Sequence, residues 1–291
     1  MKNFWAKTGW FGLAVAALFA SFVFQIGFSL LAMLPGAIRA GIEAGMKGIT
    51  DYEEIYAYVM SQVMDSAALG VLLYHLFSIP IFGLWYYFGC SRKKPGNPVK
   101  IFGKRGFPTV LLAGFAFCVL ANGIALAFEF AAPVIYADYV ELMEQAGIGV
   151  NVLTIIASVL LAPIGEELLC RGIIFHYFTK VTEGMKSRTA AFWIANALQA
   201  LAFGIMHGNW IQGTYAFVLG MGLGWLRHRY QSLYASMLAH FLVNFLSTYV
   251  MGYLLYPVPE SPLGALILIV AGAVLVFLAR MTAGPEEKTL T

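Results

Sequence analysis

The chain has 291 residues, of which 60% are hydrophobic and only 11% are charged. Soluble domains carry about 25% charged residues, so this composition excludes a mainly soluble protein and indicates a polytopic membrane protein. The net charge of +3 is small, and the three cysteines (Cys90, Cys118 and Cys170) show no paired spacing. They therefore do not indicate a disulfide or zinc framework.

The apolar runs predict the transmembrane helices, because a spanning helix needs about 17–25 apolar residues. We place eight helices, near residues 10–34, 66–89, 107–132, 151–178, 190–207, 213–226, 233–256 and 263–279. The predicted fold class is an all-α membrane protein with about eight transmembrane helices around a central polar cavity. Residues 1–291 form one polytopic membrane domain in this prediction, with a motif-bearing core at about residues 150–250.

Two segments depart from this regular pattern. Residues 50–65 are acidic and amphipathic, and Thr50 and Glu53 have the spacing of a capping box. They predict a short helix on the outer surface. The sixth run, 213–226, is too short to cross about 30 Å of hydrocarbon. We therefore expect the fifth and sixth helices to form a hairpin whose tip stays inside the bundle.

The basic residues orient the helices. Of the 18 lysines and arginines, 15 fall on one side of the predicted membrane: Lys2, Lys7, Arg92, Lys93, Lys94, Lys100, Lys104, Arg105, Lys180, Lys186, Arg188, Arg227, Arg229, Arg280 and Lys288. Arg39 and Lys47 fall on the other side. Because basic loops stay in the cytoplasm, we expect both termini to be cytoplasmic. The same rule explains the basic loop at 92–105 more simply than a site for nucleic acid or anionic lipid. For the protein as a whole we expect membrane lipid, and no nucleic acid, as a partner.

The fourth helix contains "PIGEELLCRG", in which three charges lie within an apolar run. Glu167 and Arg171 are spaced i, i+4 and can form an ion pair. Glu166 has no such partner, because Cys170 occupies that position. Ionisable residues within a membrane are functional by default, and a carboxylate of this kind can act as a proton acceptor.

Two downstream segments supply partners. "FGIMHGNW" places Phe203 and His207 at i, i+4, and "HFLVN" places His240 and Asn244 at the same spacing. A glutamate and a histidine around a water make a general-base site. A second histidine and an amide supply donors for an oxyanion. This set predicts hydrolysis of an acyl compound, for which we favour a peptide bond. Depth estimates along the helices predict access from the cytoplasmic half of the membrane.

These residues carry a resemblance. "EELLCR", "FGIMH" and "HFLVN" resemble, in order, the EExxxR, FxxxH and HxxxN motifs of the type II CAAX prenyl protease family, also called CPBP intramembrane glutamic endopeptidases. The resemblance implies that Glu166 and His207 activate the water and that His240 and Asn244 stabilise the oxyanion. It also implies that Glu167 and Arg171 support the site, together with Phe203 of the second motif. It further implies a bacterial plasma-membrane protein that cleaves a peptide or a lipidated protein.

Other interpretations stay open for these residues. The glutamates could form a structural ion network, Phe203 could be ordinary packing, and Asn244 could join two helices by a hydrogen bond. Glu166, His207 and His240 would also suit catalytic zinc, although the HExxH helix is absent and Arg171 opposes a dication. We expect no cofactor, with zinc as the open alternative, and nothing in the sequence indicates an oligomeric state.

Three functions follow from these interpretations. The first is an intramembrane endopeptidase, which the three motifs favour. The second is a non-catalytic membrane protein of the same fold, an immunity factor or scaffold. The third is a transporter that uses Glu166 as a proton relay, although the chain lacks the inverted repeats of such transporters.

Overall fold

A computed structural model describes residues 2–91, 105–145 and 152–284, and every regular element among them is a helix. The long helices are α1 (Lys2–Met46), α2 (Tyr52–Trp85, continued by a π-helix at Tyr86–Ser91), α3 (Gly106–Ala131), α4 (Pro133–Gln145), α5 (Val152–Thr182), α6 (Arg188–Met206), α7 (Trp210–Tyr230), α8 (Leu233–Tyr249) and α9 (Pro262–Thr282). The chain is an all-α membrane protein, as predicted. Each of the eight predicted spanning segments corresponds to one of these helices.

Six of these helices, α1, α2, α3, α5, α6 and α9, are long and apolar enough to cross a membrane among the residues described. The sixth predicted helix corresponds to α7. This helix runs for 21 residues and is longer than expected. Asn209 caps it by accepting a hydrogen bond from the Gln212 backbone N–H at 2.8 Å. At the other end of α7, Arg227, His228 and Arg229 form its last turn. The predicted shortness of this helix was therefore wrong, but the hairpin tip at residues 207–209 is present.

The acidic segment before α2 is also not a separate surface helix. It forms the first turns of α2, and Asp51, not Thr50, is the N-cap, whose carboxylate accepts from the Glu54 N–H at 3.0 Å. α1 and α2 pack as a long antiparallel hairpin, in which a β-carbon on Gly70 would lie 2.9 Å from the Ser29 Cα. Both helices extend beyond their predicted spans, 10–34 and 66–89, and they remain closely paired there.

Small residues set the distances between several helices. A β-carbon on Gly123 of α3 would lie 2.8 Å from Leu268 of α9, and one on Gly272 of α9 would lie 2.8 Å from Leu120 of α3. Without a hydrophobic driving force in lipid, helices associate through such close backbone packing. The glycines of α3 and α9 therefore hold these two helices together along their length.

Apart from the short helix α4, successive helices alternate in direction, which gives the bundle two ends. We call the end that carries Lys2 and Gly284 the terminal end. There, Trp10 stacks on Tyr177, and the Arg229 side chain donates to the Ala283 carbonyl at 2.8 Å. The opposite end, which we call the far end, carries the α1–α2 connection, the α6–α7 tip and residues 250–261.

The basic side chains separate between these two ends as predicted. Eight described ones lie toward the terminal end: Lys7, Arg105, Lys180, Lys186, Arg188, Arg227, Arg229 and Arg280. Arg39 and Lys47 lie toward the far end. The basic residues at 92–104 lie outside the described residues.

Candidate active site

The helix that carries the two glutamates is irregular. In α5, π-helical stretches at Ile156–Leu161 and Leu168–Ile174 flank the α-helical stretch Ala162–Glu167. Such π-helical insertions are frequent at functional sites in proteins. The two glutamates lie next to each other in the α-helical stretch, where adjacent side chains point about 100° apart, so they face different surroundings.

Glu167 is the buried member of the pair. Its Oε1 lies 2.8 Å from Nη1 of Arg171, and both side chains are fully buried. The same oxygen lies 3.0 Å from Nδ1 of His240 on α8. The predicted ion pair is therefore present, and it is linked to a histidine of another helix.

Glu166 instead faces an open space. Its side chain is 15% exposed, and its Oε2 lies 3.7 Å from Nε2 of His240, beyond hydrogen-bond distance. His240 thus lies between the two carboxylates, with one ring nitrogen toward each. This arrangement gives Glu166 the partner from another helix that the sequence required.

His207 lies at the C-cap of α6, at the tip of the hairpin with α7. Its Nδ1 lies 2.8 Å from the Phe203 carbonyl. Because a carbonyl only accepts hydrogen bonds, Nδ1 carries the proton, and Nε2 of the neutral ring is an acceptor. The hydrogen bond therefore fixes the tautomer that a general base requires.

Phe203 joins the components of the site. Its ring packs edge-on against His207, with centroids 4.8 Å apart, and against His240, with centroids 5.6 Å apart. The Arg171 guanidinium carbon lies 4.1 Å from the centroid of the same ring, a cation–π contact. The ring is 1% exposed. Phe203 is therefore packing, as the sequence allowed, but it packs against three residues of the site.

Asn244 is held by a backbone carbonyl of α5. Its Nδ2 donates to the Ser158 carbonyl at 2.8 Å. In the π-helical register the Ala162 N–H bonds the Ala157 carbonyl, so the next donor, toward Ser158, would be residue 163. That residue is Pro163, which has no N–H. Asn244 supplies the missing donor with one of its two amide N–H groups, and the other stays available.

A cavity of about 430 Å³ lies among these residues. Glu166, His207, His240, Asn244 and Phe203 all line it. Glu167 and Arg171 do not line it and lie behind His240 and Phe203. The predicted central polar cavity is confirmed, and it brings together residues from α5, the α6–α7 tip and α8.

The comparisons with known proteins identify this region. Residues 148–246 match the family model of the type II CAAX prenyl endopeptidase Rce1-like proteins. The match confirms the resemblance that the three motifs indicate, and it supports a CAAX-type intramembrane protease fold for this integral membrane protein. Neither the curated proteins nor the solved structures contain a match to the chain.

The cavity of this Rce1-like region lies in the far half of the bundle. On α8 the lining residues run from His240, at the middle of the helix, to Thr248. Further lining residues come from the last turn of α6, the first half of α7 and the first half of α5, which contributes Ser158, Ala162 and Glu166. The expected access from the cytoplasmic half of the membrane stays a prediction.

Sequence reasoning missed several groups that line the cavity. From α2 come Tyr74 and His75, whose rings contact each other at 4.8 Å, and from α4 and α7 come Tyr139 and Tyr215. His75 is 4% exposed, and its buried Nδ1 has no hydrogen-bond partner. His75 is an ionisable residue within a predicted span, and such residues indicate functional sites. It belongs to none of the three motifs.

The described residues contain no group of three or more His, Cys, Asp or Glu arranged to hold a metal ion. Glu166 and His240 face the cavity side by side, while Nδ1 of His207 is engaged by the Phe203 carbonyl.

Proposed function

We propose that this protein is an intramembrane endopeptidase that hydrolyses a peptide bond of a membrane-associated protein or peptide. The observation that carries the proposal is the convergence of Glu166, His207, His240 and Asn244 on one cavity. They come from three different helices, and a purely structural network would not need to leave Glu166 open to a cavity. The family match adds support, because it covers all four residues.

In the proposed reaction, Glu166 and His207 activate the water. The Glu166 carboxylate accepts a proton while the water oxygen bonds to the substrate carbonyl carbon. His207 accepts a hydrogen bond from the same water through Nε2, because its Nδ1–H is held by Phe203. The proton then passes to the departing amine as the C–N bond breaks. Positioned groups of this kind contribute about 10²–10⁴-fold to a rate.

His240 and Asn244 are the proposed donors to the oxyanion. Nδ1–H of His240 donates to Glu167, so a donor at Nε2 requires a second proton on the ring. Asn244 uses one amide N–H on Ser158 and offers the other. Preorganised donors aimed at a developing negative charge are worth about 3–4 kcal/mol each.

Glu167 and Arg171 act as positioning residues in this mechanism. The carboxylate orients His240, and the guanidinium neutralises the carboxylate and supports Phe203 from the opposite side. Neither side chain reaches the cavity. Their role is to hold the reacting groups in one arrangement, as ion pairs and hydrogen bonds behind an active site commonly do.

The experiment uses the full-length protein reconstituted in lipid vesicles with a solubilised membrane proteome, and maps new peptide termini by mass spectrometry. We expect new termini with the wild type and with Glu129→Gln, and none with Glu166→Gln. Glu129 is a matched control, because it lies in the spanning helix α3 and does not line the cavity. New termini that persist in Glu166→Gln would contradict the proposed base.

The runner-up is a non-catalytic immunity factor or scaffold of the same fold. It predicts the same pattern of termini for all three proteins, and co-purification of a partner that is unaffected by Glu166→Gln. An absence of new termini with the wild type, together with such a partner, would favour it over the peptidase.

A further inference from the structure

The cavity is open toward only one half of the bundle. On α8 (Leu233–Tyr249) the lining residues begin at His240, and on α6 (Arg188–Met206) they begin at Phe203. On α3 (Gly106–Ala131) they begin at Ala121. On α6 and α3 the lining starts past the middle, in the direction of the far end, and on α8 it runs in the same direction from the middle of the helix.

The terminal half of the same helices is closed by packing. Leu169, Ile173 and Ile174 of α5 and Leu223 and Leu226 of α7 are each 0% exposed and belong to one apolar cluster. Among the described residues, this cluster lies between the cavity and the terminal end. It therefore favours entry of a peptide bond to Glu166 from the far side.

The charge distribution indicates which end of the bundle faces the cytoplasm. Basic residues in short loops stay on the cytoplasmic side of a membrane. The terminal end carries eight basic side chains among the described residues, and the far end carries Arg39 and Lys47. Arg39 is paired with Glu43 at 2.8 Å, which reduces the basic character of that end further. The far end is therefore the outer one.

We infer that the substrate is an extended polypeptide segment on the outer, extracytoplasmic side of the membrane, and that it enters the cavity from the far end. This inference rests on the proposed peptidase function and adds the side and the chemical class of its substrate. It assigns the enzyme to outer-surface processing and not to trimming of cytoplasmic proteins.

The lining of the cavity fits a peptide main chain. Amide and hydroxyl side chains come from four helices between the catalytic residues and the far end: Gln25, Asn122, Gln212, Ser247 and Thr248. Irregular backbone at membrane depth requires protein partners for its N–H and C=O groups. These side chains provide both donors and acceptors. A lipid chain needs none of them, so the polar lining favours an unlipidated segment.

α4 borders the entrance. Its half-buried face places Tyr139 and Met143 in the cavity wall, and the Gln212 amide of α7 lies 3.7 Å from the Met143 sulfur. The opposite face, with Asp138, Glu141 and Glu144, is exposed. α4 therefore has the amphipathic character of a helix at the membrane surface, which places the entrance close to the outer boundary.

The first test measures the side of access by labelling single cysteines with a membrane-impermeant maleimide in sealed vesicles. The background is Cys90→Ala, because Cys118 and Cys170 are buried. We expect Thr248→Cys in the cavity and Glu53→Cys at the far end to label at least tenfold faster in right-side-out vesicles than in inverted ones. Lys186→Cys, at the terminal end, should show the reverse. Thr248→Cys labelling with the pattern of Lys186→Cys would overturn the inference.

The second test measures cleavage with fluorescein-labelled casein, an unlipidated polypeptide that does not cross a bilayer. Right-side-out vesicles should cleave it at least tenfold faster than inverted vesicles, detergent should remove the difference, and Glu166→Gln should abolish cleavage in both. Faster cleavage by inverted vesicles would overturn the inferred side, with the peptidase function intact. Cleavage only of a prenylated peptide after detergent treatment would overturn the inferred substrate class. An absence of cleavage of any peptide in detergent would contradict the proposed function, while the labelling result still decides the side of the cavity.

Discussion

The two halves of the bundle are built from the same helices but differ in their interiors. In the terminal half, large apolar side chains such as Leu169, Ile173 and Leu223 fill the space between α5 and α7. In the far half, alanines, amides and hydroxyls, together with larger side chains such as Tyr215 and Leu219, line a cavity of about 430 Å³. The difference teaches that side-chain volume and polarity, and not helix position, decide which half can admit a substrate.

The boundary between the halves runs between two adjacent glutamates. Glu167 points into the packed side and pairs with Arg171 at 2.8 Å, whereas Glu166 borders the cavity and is 15% exposed. Burial of a carboxylate without a partner is costly, and breaking a buried pair is more costly still. Neighbouring residues of one type therefore have opposite uses, one structural and one available for chemistry.

The largest expected effect is the loss of turnover in Glu166→Gln, on the cavity side of the boundary. Glu166→Gln keeps the shape of the side chain and removes proton transfer, so turnover should fall by about 10²–10⁴-fold. The melting temperature in detergent should stay unchanged or rise, because a neutral amide costs less than a carboxylate at that depth. If Glu166→Gln keeps its activity, or if it unfolds, Glu166 has a structural role and is not the base.

The second prediction breaks the packed side. Glu167→Ala leaves Arg171 buried without its counter-charge, a loss of about 3–5 kcal/mol in the free energy of unfolding. The measurement is thermal unfolding in detergent. Glu129→Ala is the control for loss of a glutamate in a spanning helix, and it should change stability much less. Equal effects of the two substitutions would show that the pair contributes nothing specific.

The third prediction tests the close packing that supports the terminal half. A β-carbon on Gly224 would overlap Oδ1 of Asn196, and Asn196 in turn donates to the Met221 carbonyl at 2.9 Å. Gly224→Ala should therefore destabilise the α6–α7 hairpin by about 1–3 kcal/mol. Gly83→Ala is the matched control, because no atom lies within 4 Å of its added β-carbon. Loss of stability in the control alone would contradict the packing argument.

The smallest expected effect concerns the ring that joins the halves. Phe203→Leu removes the cation–π contact with Arg171 and the edge contacts with both histidines. A contact of this kind is worth about 0.5–2 kcal/mol, so turnover should fall by up to roughly thirtyfold, with a modest loss of stability. Phe203→Tyr keeps the ring and should retain most of the activity. If Leu and Tyr behave alike, the aromatic face has no role.

Local spacing along the sequence determined a large part of this molecule. The helices, the i, i+4 ion pair of Glu167 and Arg171, the pairing of motif residues on single helix faces and the charge difference between the two ends all follow from periodicity and composition. These features depend on residues within a few turns of one another. They can therefore be predicted from a single sequence.

Only the tertiary structure decided how the helices are offset along their axes. Packing of α8 against α5 places His240 between the two glutamates, and the missing N–H of Pro163 leaves a carbonyl that Asn244 satisfies. Tyr74 and His75 join the cavity from a helix that carries no motif. Periodicity reports which face of a helix is polar, but packing between distant segments fixes the depth of that face. The half of the bundle that holds the cavity was therefore a result of the fold.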